Sequence, residues 1–263
     1  MKVLVIPDTH GRKFWRKAIA DNIGKVDKVV FLGDYLDPYP EELKENPDLF
    51  DCNDFCDYNG LLGTLNDIIS LKKNEPDKYI LLTGNHTDSY IWSKFHAATR
   101  TDYKNWEKYH KFFSQNLEYF NLVWIENDTI FSHAGISEGW KNERFNSESS
   151  ILDLAKNLLS KNIKEFPIVW IDALSDISHR RYGDMPYGSC EWADIMEHID
   201  HYQSEVQEKI VPLGDNRIYQ VFGHTHLKKP LITDKWACLD CRKAFIIDTE
   251  THNIKNASDS SLC

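Results

Sequence analysis

The stretch Lys2–His10 reads KVLVIPDTH, an apolar run that passes directly into a carboxylate and an imidazole. A short continuous apolar run is typical of a parallel strand that is buried on both faces. In open α/β sheets the binding site lies beyond the carboxyl ends of such strands. Asp8 and His10 stand there two positions apart, so their side chains point the same way and can hold one cation.

Two later segments repeat this pattern of an apolar run followed by polar residues. Val26–Leu32 leads into Gly33-Asp34, and Lys78–Thr83 leads into Gly84-Asn85-His86. Apolar residues at helical spacing predict two intervening helices, Phe14–Ile23 and Leu61–Lys73. Alternating strands and helices predict an α/β layered fold in which the three strand ends converge on one place.

The later part of the chain predicts a second, more antiparallel sheet packed on the first. A hairpin is expected around Asn127, between the apolar runs Leu122–Glu126 and Asp128–Ser132. Three further strands are predicted, Ile218–Phe222, Leu231–Thr233 and Lys243–Ile247. We therefore expect a sandwich of two sheets flanked by helices.

We predict one domain over residues 1–253 and a polar tail at residues 254–263 that frays. Insertions are expected near residues 38–60, 94–120 and 175–199. The first carries seven acidic residues and one lysine, which indicates either a solvated loop or a rim that screens substrates. The insertion near residues 94–120 is predicted to form one or two helices, and the insertion near 175–199 is a long irregular loop of the kind that carries function. Between them, residues 149–166 predict an amphipathic helix.

The composition excludes several classes of protein. Of the 263 residues 41% are apolar and 13% aromatic, which is enough for a core and excludes a disordered chain. The net charge of −10 disfavours a protein that binds long nucleic acid, but small anionic substrates remain compatible because bound metal ions reverse the local field. No segment reaches the roughly 20 apolar residues of a membrane span, and no secretory signal is recognised, so we expect a cytosolic protein.

Six cysteines include two closely spaced pairs, Cys52 with Cys56 and Cys238 with Cys241; the others are Cys190 and Cys263. In the cytosol they would stay reduced. The pairs indicate either structural zinc or ordinary thiols, and neither has the neighbouring histidine that zinc sites usually show.

The candidate catalytic and metal-binding residues lie in five short motifs. Two of these motifs directly follow the second and third predicted strands. After Gly33, Asp34 is free to present both oxygens, and one carboxylate that bridges two divalent ions holds them about 3.5–4 Å apart. Asp37 is expected to orient a histidine or to cap a turn. Asn85 offers a neutral oxygen ligand, and its neighbour His86 is better placed to donate a proton to a leaving oxygen.

The remaining motifs supply imidazoles. His133 follows a predicted strand, and His224 and His226 stand two positions apart after another. Such a pair can serve two metals that lie close together. The five motifs, in this order, supply two complete sets of metal ligands.

These motifs resemble the signature of the calcineurin-like metallophosphoesterase superfamily, D-x-H, G-D-x-x-D, G-N-H, H and G-H-x-H, over Asp8 to His226. The resemblance implies a four-layer α/β/β/α sandwich of two mixed sheets. It implies that His86 is the catalytic histidine, with Asp37 beside it. It also implies that one metal is held by Asp8, His10, Asp34 and His226 and the other by Asp34, Asn85, His133 and His224.

The expected reaction is phosphoester hydrolysis. Two ions orient the ester and lower the pKa of a bridging water, so that a metal-bridging hydroxide attacks in line while His86 protonates the leaving oxygen. The mixed nitrogen and oxygen ligands suit Mn, Fe, Zn or Co, and the assay that we expect to be most informative contains manganese.

Some stretches are similar to the phosphoprotein-phosphatase and diadenosine-tetraphosphatase branch, notably Gly33–Asp37, Ser132–Ser137 and Ile168–Asp172. That branch continues the second motif with an arginine that grips phosphate, where this chain has Pro38, and it follows G-N-H with Glu, where this chain has Thr87. The protein phosphatases also lack the second histidine of the last motif. We predict that the phosphate is bound instead by Arg180, Arg181 or Arg12.

Two other functions are alternatives to a phosphatase or phosphodiesterase. A non-catalytic scaffold of the same fold would usually lose its proton donor or several ligands, and every position is retained here. A nuclease shares the chemistry but would favour a basic, aromatic-rich stripe, which the sequence lacks. We therefore expect phosphorylated small molecules or peptides as substrates, with neither a nucleic-acid polymer nor a membrane as a partner. The oligomeric state has no signal in the sequence.

Overall fold

In the computed structural model, which describes residues 1–92, 98–145, 148–161, 163–166, 168–207 and 218–258, the N-terminal apolar run forms the buried strand β1. The strands are β1 (Lys2–Ile6), β2 (Lys28–Phe31), β3 (Tyr79–Leu82), β4 (Phe120–Asn121), β5 (Val123–Glu126), β6 (Thr129–Ser132), β7 (Tyr219–Phe222), β8 (Leu231–Ile232), β9 (Trp236–Cys238), β10 (Phe245–Asp248) and β11 (Ile254–Asn256).

The helices of the described residues lie between these strands, most of them crossing from one strand to the next. They are α1 (Phe14–Asn22), α2 (Pro40–Glu45), α3 (Tyr58–Asn74), α4 (Asn85–Ile91), α5 (Trp106–Asn116), α6 (Glu138–Arg144), α7 (Ile151–Leu159), α8 (Ile168–Leu174) and α9 (Ile195–Gln207). None of them is long and apolar enough to cross a membrane.

The chain divides into two compact units, Met1–Asn121 with the segment from Arg242 onward, and Leu122–Cys241. In the first unit the strand order is β11-β10-β1-β2-β3-β4. Strands β1 to β4 run parallel, as β-α-β crossovers require, whereas β10 pairs antiparallel with β1 and β11 pairs antiparallel with β10. Apart from Lys2 and Lys28 at their first positions, strands β1, β2 and β3 are buried, which explains their apolar sequences.

The second unit contains the sheet β5-β6-β7-β9-β8. The predicted hairpin is present, since β5 and β6 pair antiparallel on either side of Asn127. Strands β6, β7 and β9 nevertheless run parallel, so the sheet is mixed rather than mainly antiparallel. The molecule is therefore an α/β protein with two mixed sheets and helices, as the sequence predicted.

One predicted strand is present but pairs with a different sheet from the one expected. The predicted strand Lys243–Ile247 was expected to close the second sheet, but β10 pairs with β1 in the first, in the register Leu4 to Ile246. An apolar run identifies a strand without indicating which neighbour it pairs with. A polar tail was predicted from residue 254 onward, yet Ile254–Asn256 forms β11. Residues 259–263, including Cys263, lie outside the described part of the chain.

The acidic segment 38–60 is more ordered than a solvated loop. It contains α2 and a 3₁₀ turn over Pro47–Leu49 before α3 begins. Asp57 caps α3 by accepting a hydrogen bond from the Gly60 amide at 3.1 Å, and Asp51 pairs with Arg16 at 3.0 Å. Several of its carboxylates are thus bound by neighbouring groups of the first unit.

The other segments follow the predictions in outline. The segment 94–120 contains α5, although residues 93–97 lie outside the described part. The helix predicted at 149–166 is α7, which begins with a capping box formed by Ser150 and Asp153. A 3₁₀ turn at Ile163–Glu165 follows it, and residue 162 between them is not described. The irregular segment 175–199 contains a 3₁₀ turn, His179–Arg181, and the start of α9.

Replacing Gly33 with alanine tests the turn after β2. Gly33 has φ +109°, and an added Cβ would lie 2.3 Å from the carbonyl oxygen of Thr83. We expect Gly33→Ala to reduce the free energy of unfolding by about 1–3 kcal/mol, measured by urea denaturation. Gly63 lies within α3 and faces open space, so Gly63→Ala should leave stability unchanged or raise it by about 0.4–1 kcal/mol. Equal effects at the two positions would contradict this account of the turn.

Candidate active site

Backbone hydrogen bonds join the first two motifs at the ends of β1 and β2. The carbonyl oxygen of Asp34 accepts from the amides of Thr9 at 3.1 Å and His10 at 2.9 Å. Gly33, immediately before it, lies against the backbone of Thr83 at the end of β3. The three strand ends therefore meet in the first unit, as the sequence predicted.

Several residues of these motifs have an unusual backbone conformation. His10, Asp34 and Asp37 have φ angles of 44°, 49° and 61°, and in the second unit His224 has 64°. Positive φ is unfavourable for residues other than glycine, and such strain concentrates at functional sites. The turns thus orient these side chains at some cost in backbone energy.

The ring of His10 is fixed by a hydrogen bond to the backbone. Its ring is buried, and Nδ1 donates to the carbonyl oxygen of Leu36 at 2.7 Å. That bond fixes the tautomer and leaves Nε2 facing Asp34, 3.7 Å from Oδ2. Burial, with a further contribution from His86, lowers the pKa of His10 well below its usual value. A neutral imidazole with a bare nitrogen is the form that binds a cation.

The first unit brings the ligand atoms of His10, Asp34 and His86 within 4.8 Å of one another. Asp34 Oδ1 also accepts a hydrogen bond from the backbone amide of His86 at 3.0 Å. Asp8 and Asn85, the other ligands predicted in this unit, are 1% and 4% exposed at the ends of β1 and β3. Buried oxygen and nitrogen donors of this kind suit a divalent transition metal.

His86 belongs to a buried chain of hydrogen bonds. Its Nδ1 donates to Asp37 Oδ2 at 2.7 Å, and the Tyr90 hydroxyl donates to Asp37 Oδ1 at 2.5 Å. The Tyr90 oxygen in turn accepts from the amide of Asp102 at 2.8 Å. Burial raises the pKa of Asp37, and its bonds with His86 and Tyr90 oppose that rise. Asp37 thus orients His86, in the manner that the sequence analysis expected.

Two roles are open to His86, metal ligand or proton donor. Because Nδ1 is held by Asp37, only Nε2 faces away from this hydrogen bond. Nη2 of Arg100 lies 3.4 Å from that nitrogen. A fixed positive charge there disfavours a metal cation and favours a bound anion.

The second unit carries the remaining predicted ligands. His133 follows β6 and is fully buried, and its Nε2 lies 3.1 Å from Nδ1 of His224 after β7. His226 is exposed, and its Nδ1 lies 3.8 Å from Asp240 Oδ2. The imidazoles of His133 and His224 are therefore adjacent, with one nitrogen of each within hydrogen-bond distance of the other.

The three arginines predicted to bind phosphate differ in their surroundings. Arg12 is buried and donates to Glu42 at 2.6 Å and to the Thr9 carbonyl at 3.2 Å. Arg180 is exposed and pairs with Asp200, whereas Arg181 pairs with Asp194 at 2.8 Å and also donates to Thr225 in the last motif. Each has a carboxylate partner, so none of them provides an unbalanced positive charge.

Sequence reasoning missed Tyr90 and Arg100, because neither stands in a motif. The cysteine pairs add nothing to the site, since no cluster of metal-binding size among the described residues contains a cysteine.

A third residue that the sequence did not indicate is His198, which supports the turn that carries His133. His198 is buried against the Phe222 ring, with Nε2 3.2 Å from the carbonyl oxygen of Ala134. Gly135 has φ +84°, and an added Cβ would lie 2.5 Å from that same nitrogen. Burial lowers the pKa of His198 to about 4.

The buried His198 predicts an acid-sensitive contribution to stability. Its folded pKa of about 4 lies below the ordinary 6.5, so the unfolded chain binds the extra proton and stability is lost as the pH falls from 6.5 towards 4. Over that interval we expect the wild type to lose about 3 kcal/mol more than His198→Gln, measured by urea unfolding. The exposed residue His179 provides a control, and a His198→Gln profile parallel to that of His179→Gln would refute the assignment.

The chain matches the family model of the calcineurin-like phosphoesterases over residues 1–228. Similar solved structures include the cold-active protein tyrosine phosphatase of a psychrophilic Shewanella species (14% identity, 98% of this chain and 80% of that chain, TM-score 0.54) and a protein serine/threonine phosphatase from Saccharomyces cerevisiae (14% identity, 97% and 79%, TM-score 0.50). The comparison with curated proteins found no match.

At these identities the structural likeness establishes the fold, whereas the family model spans most of the chain, including all five motifs. The chain therefore belongs to the calcineurin-like phosphoesterase family and is a hydrolase that acts on phosphoester bonds.

Proposed function

We propose that this chain is a phosphatase or phosphodiesterase that depends on two divalent metal ions sharing Asp34. The observation that carries the proposal is the buried pair of His10 and Asp34, in which His10 presents a bare nitrogen to the carboxylate. The ligands proposed for one ion are Asp8, His10, Asp34 and His226, and those for the other are Asp34, Asn85, His133 and His224.

The donor atoms support metal binding on chemical grounds. Asp8 and Asp34 are both nearly inaccessible to solvent, and the burial of two carboxylates is costly unless positive charge compensates them. When bound, divalent ions would neutralise the phosphoryl oxygens and activate a water molecule for in-line attack. Manganese, iron, zinc and cobalt all suit these ligands, and we propose manganese for the first assays.

His86 is proposed to supply the proton for the leaving oxygen from Nε2. Asp37 holds Nδ1 at 2.7 Å, which fixes the orientation of the ring and leaves Nε2 to give up the proton. Tyr90 fixes Asp37 through the opposite oxygen. These hydrogen bonds hold the His86 ring in one orientation before the reaction, which lowers the entropic cost of reaching the transition state.

Phosphomonoesters and phosphodiesters of small molecules are the substrates that we propose first. A phosphopeptide is the second candidate, because the similar structures named above are those of protein phosphatases. Dinucleoside polyphosphates follow from the motifs that resemble the diadenosine-tetraphosphatase branch. A cytosolic location remains an expectation from the sequence.

A panel of substrates separates these candidates. With added Mn²⁺ we expect hydrolysis of p-nitrophenyl phosphate or its bis-ester, and loss of hydrolysis on chelation with recovery after manganese is restored. A phosphopeptide and diadenosine tetraphosphate identify the other two substrate classes. Full activity in the presence of the chelator would contradict metal dependence.

Asp34→Asn tests the bridging carboxylate. We expect it to lower kcat by about 10²-fold or more, because a neutral amide supplies less charge to both ions. The steady-state rate and the urea midpoint are measured together, and the exposed Asp21, which pairs with Lys17 on α1, provides the matched control Asp21→Asn. Unchanged turnover in Asp34→Asn would reject the bridging role.

His86→Ala separates proton donation from metal binding. We expect the variant to keep its metal content by elemental analysis and to lose about 10²–10⁴-fold in kcat, as removal of a general acid does. His252→Ala, outside the site, should match the wild type in both measurements. Loss of metal in His86→Ala would reassign His86 as a ligand and leave Asn85 without that role.

A further inference from the structure

Three arginines surround the ring of Tyr39 in the first unit. The guanidinium carbon of Arg100 lies 3.7 Å from the ring centroid, and those of Arg12 and Arg242 lie at 5.4 and 5.6 Å. Glu42 binds two of them, Arg12 through Oε2 and Arg242 through Oε1. Glu42 therefore bridges Arg12 and Arg242 beside the Tyr39 ring.

Arg100 is the member of this cluster that has no carboxylate partner among the described residues. Its Nε donates to the carbonyl oxygen of Asp37 at 3.2 Å, and Nη1 donates to the hydroxyl of Thr99 at 3.2 Å. Its other contacts are the Tyr39 face and the His86 imidazole. None of these four contacts is an anionic group, so they orient the guanidinium without cancelling its charge.

The guanidinium of Arg100 lies beside the side chain that is proposed to donate the proton. Nη2 lies 3.4 Å from Nε2 of His86, the nitrogen that Asp37 leaves available. The rings of Tyr39 and His86 each meet the His10 ring edge-on, at centroid distances of 5.2 and 4.9 Å. An anion bound by Arg100 would therefore lie beside both the proposed proton donor and a proposed metal ligand.

The backbone around Arg100 is held in place at an energetic cost. Arg100 has φ 66°, a left-handed conformation that is strained for a residue with a long side chain. The flanking residues are anchored to α4, since the amide of Ala98 donates to the Ser89 hydroxyl at 2.7 Å and the amide of Asp102 donates to Tyr90. The same helix begins with Asn85 and His86, so Arg100 and His86 are fixed to one element.

We propose that Arg100 binds the phosphoryl oxygens of the substrate, on a platform formed by Tyr39; this inference rests on the proposed phosphoester hydrolysis. A guanidinium presents a planar fork of N–H donors that matches phosphate, and stacking on an aromatic face keeps the fork oriented. Arg12 and Arg242, bridged by Glu42, hold the platform. Arg180, Arg181 and Arg12, which the sequence suggested for this task, already have carboxylate partners.

Arg100→Gln is the direct test, with Arg16→Gln as its matched control. Arg16 also lies over an aromatic ring, that of Trp15 at 4.4 Å, but it is paired with Asp51 and Asp67. With manganese-loaded protein we expect Arg100→Gln to weaken the binding of inorganic phosphate, measured by calorimetry, and to lower kcat/KM for p-nitrophenyl phosphate by about 10- to 100-fold. Metal content should be unchanged, and Arg16→Gln should match the wild type.

If the Arg100→Gln protein is unstable, two further experiments test the same proposal: the Arg100→Lys variant and chemical modification of the wild-type arginine. Lysine retains the charge but loses the planar fork, so we expect an intermediate loss. In the wild type, inorganic phosphate should slow the modification of Arg100 by phenylglyoxal, followed by mass spectrometry, and leave Arg16 unaffected. Phosphate affinity within twofold of wild type in a folded Arg100→Gln protein, or no protection of Arg100, would overturn the proposal.

The outcome for Arg100 is distinguishable from failure of the proposed function. A wild type that hydrolyses no phosphoester with any of the four metals contradicts the proposed function, whatever Arg100 does. A wild type that is active, with an Arg100→Gln variant of unaltered KM and phosphate affinity, contradicts only the inference about Arg100.

Discussion

The cluster of motif residues in the first unit depends on two backbone hydrogen bonds to one carbonyl oxygen. The carbonyl oxygen of Asp34 accepts from the amides of Thr9 and His10, and this brings the loop after β1 onto the turn after β2. Positive φ at His10 and Asp34 makes the contact sterically feasible, and Gly33 allows the turn to lie against the backbone at the end of β3.

Electrostatics explain why such an arrangement favours a bound cation. Asp8, Asp34 and Asp37 are all almost inaccessible to solvent in a protein that already carries a net charge of −10. Hydrogen bonds from His86 and Tyr90 stabilise Asp37. Asp34 receives an amide and faces the bare nitrogen of His10, an environment that positive charge would complete. Arg100 adds fixed positive charge on the side of His86 that faces away from Asp37.

The sequence predicted the strand ends and the motif residues, because short apolar runs and the polar residues after them are local signals. It misplaced the strand at Lys243–Ile247, since the pairing of β10 with β1 joins residues more than two hundred positions apart. It missed Tyr90 and Arg100 for a related reason. Their roles come from contacts with Asp37, His86 and Tyr39, which no spacing along the chain encodes. It suggested Arg12 as a phosphate ligand, and the structure instead gives Arg12 a partner in Glu42.

The most direct test of the central claim is a crystal of the manganese-loaded protein, examined by anomalous scattering at the manganese edge. The account predicts two peaks per chain about 3.5–4 Å apart, with one oxygen of Asp34 bound to each ion or shared between them. His10 should coordinate one ion through Nε2 while Nδ1 keeps its bond to Leu36. A single peak, or two peaks neither of which is bound by Asp34, would contradict it.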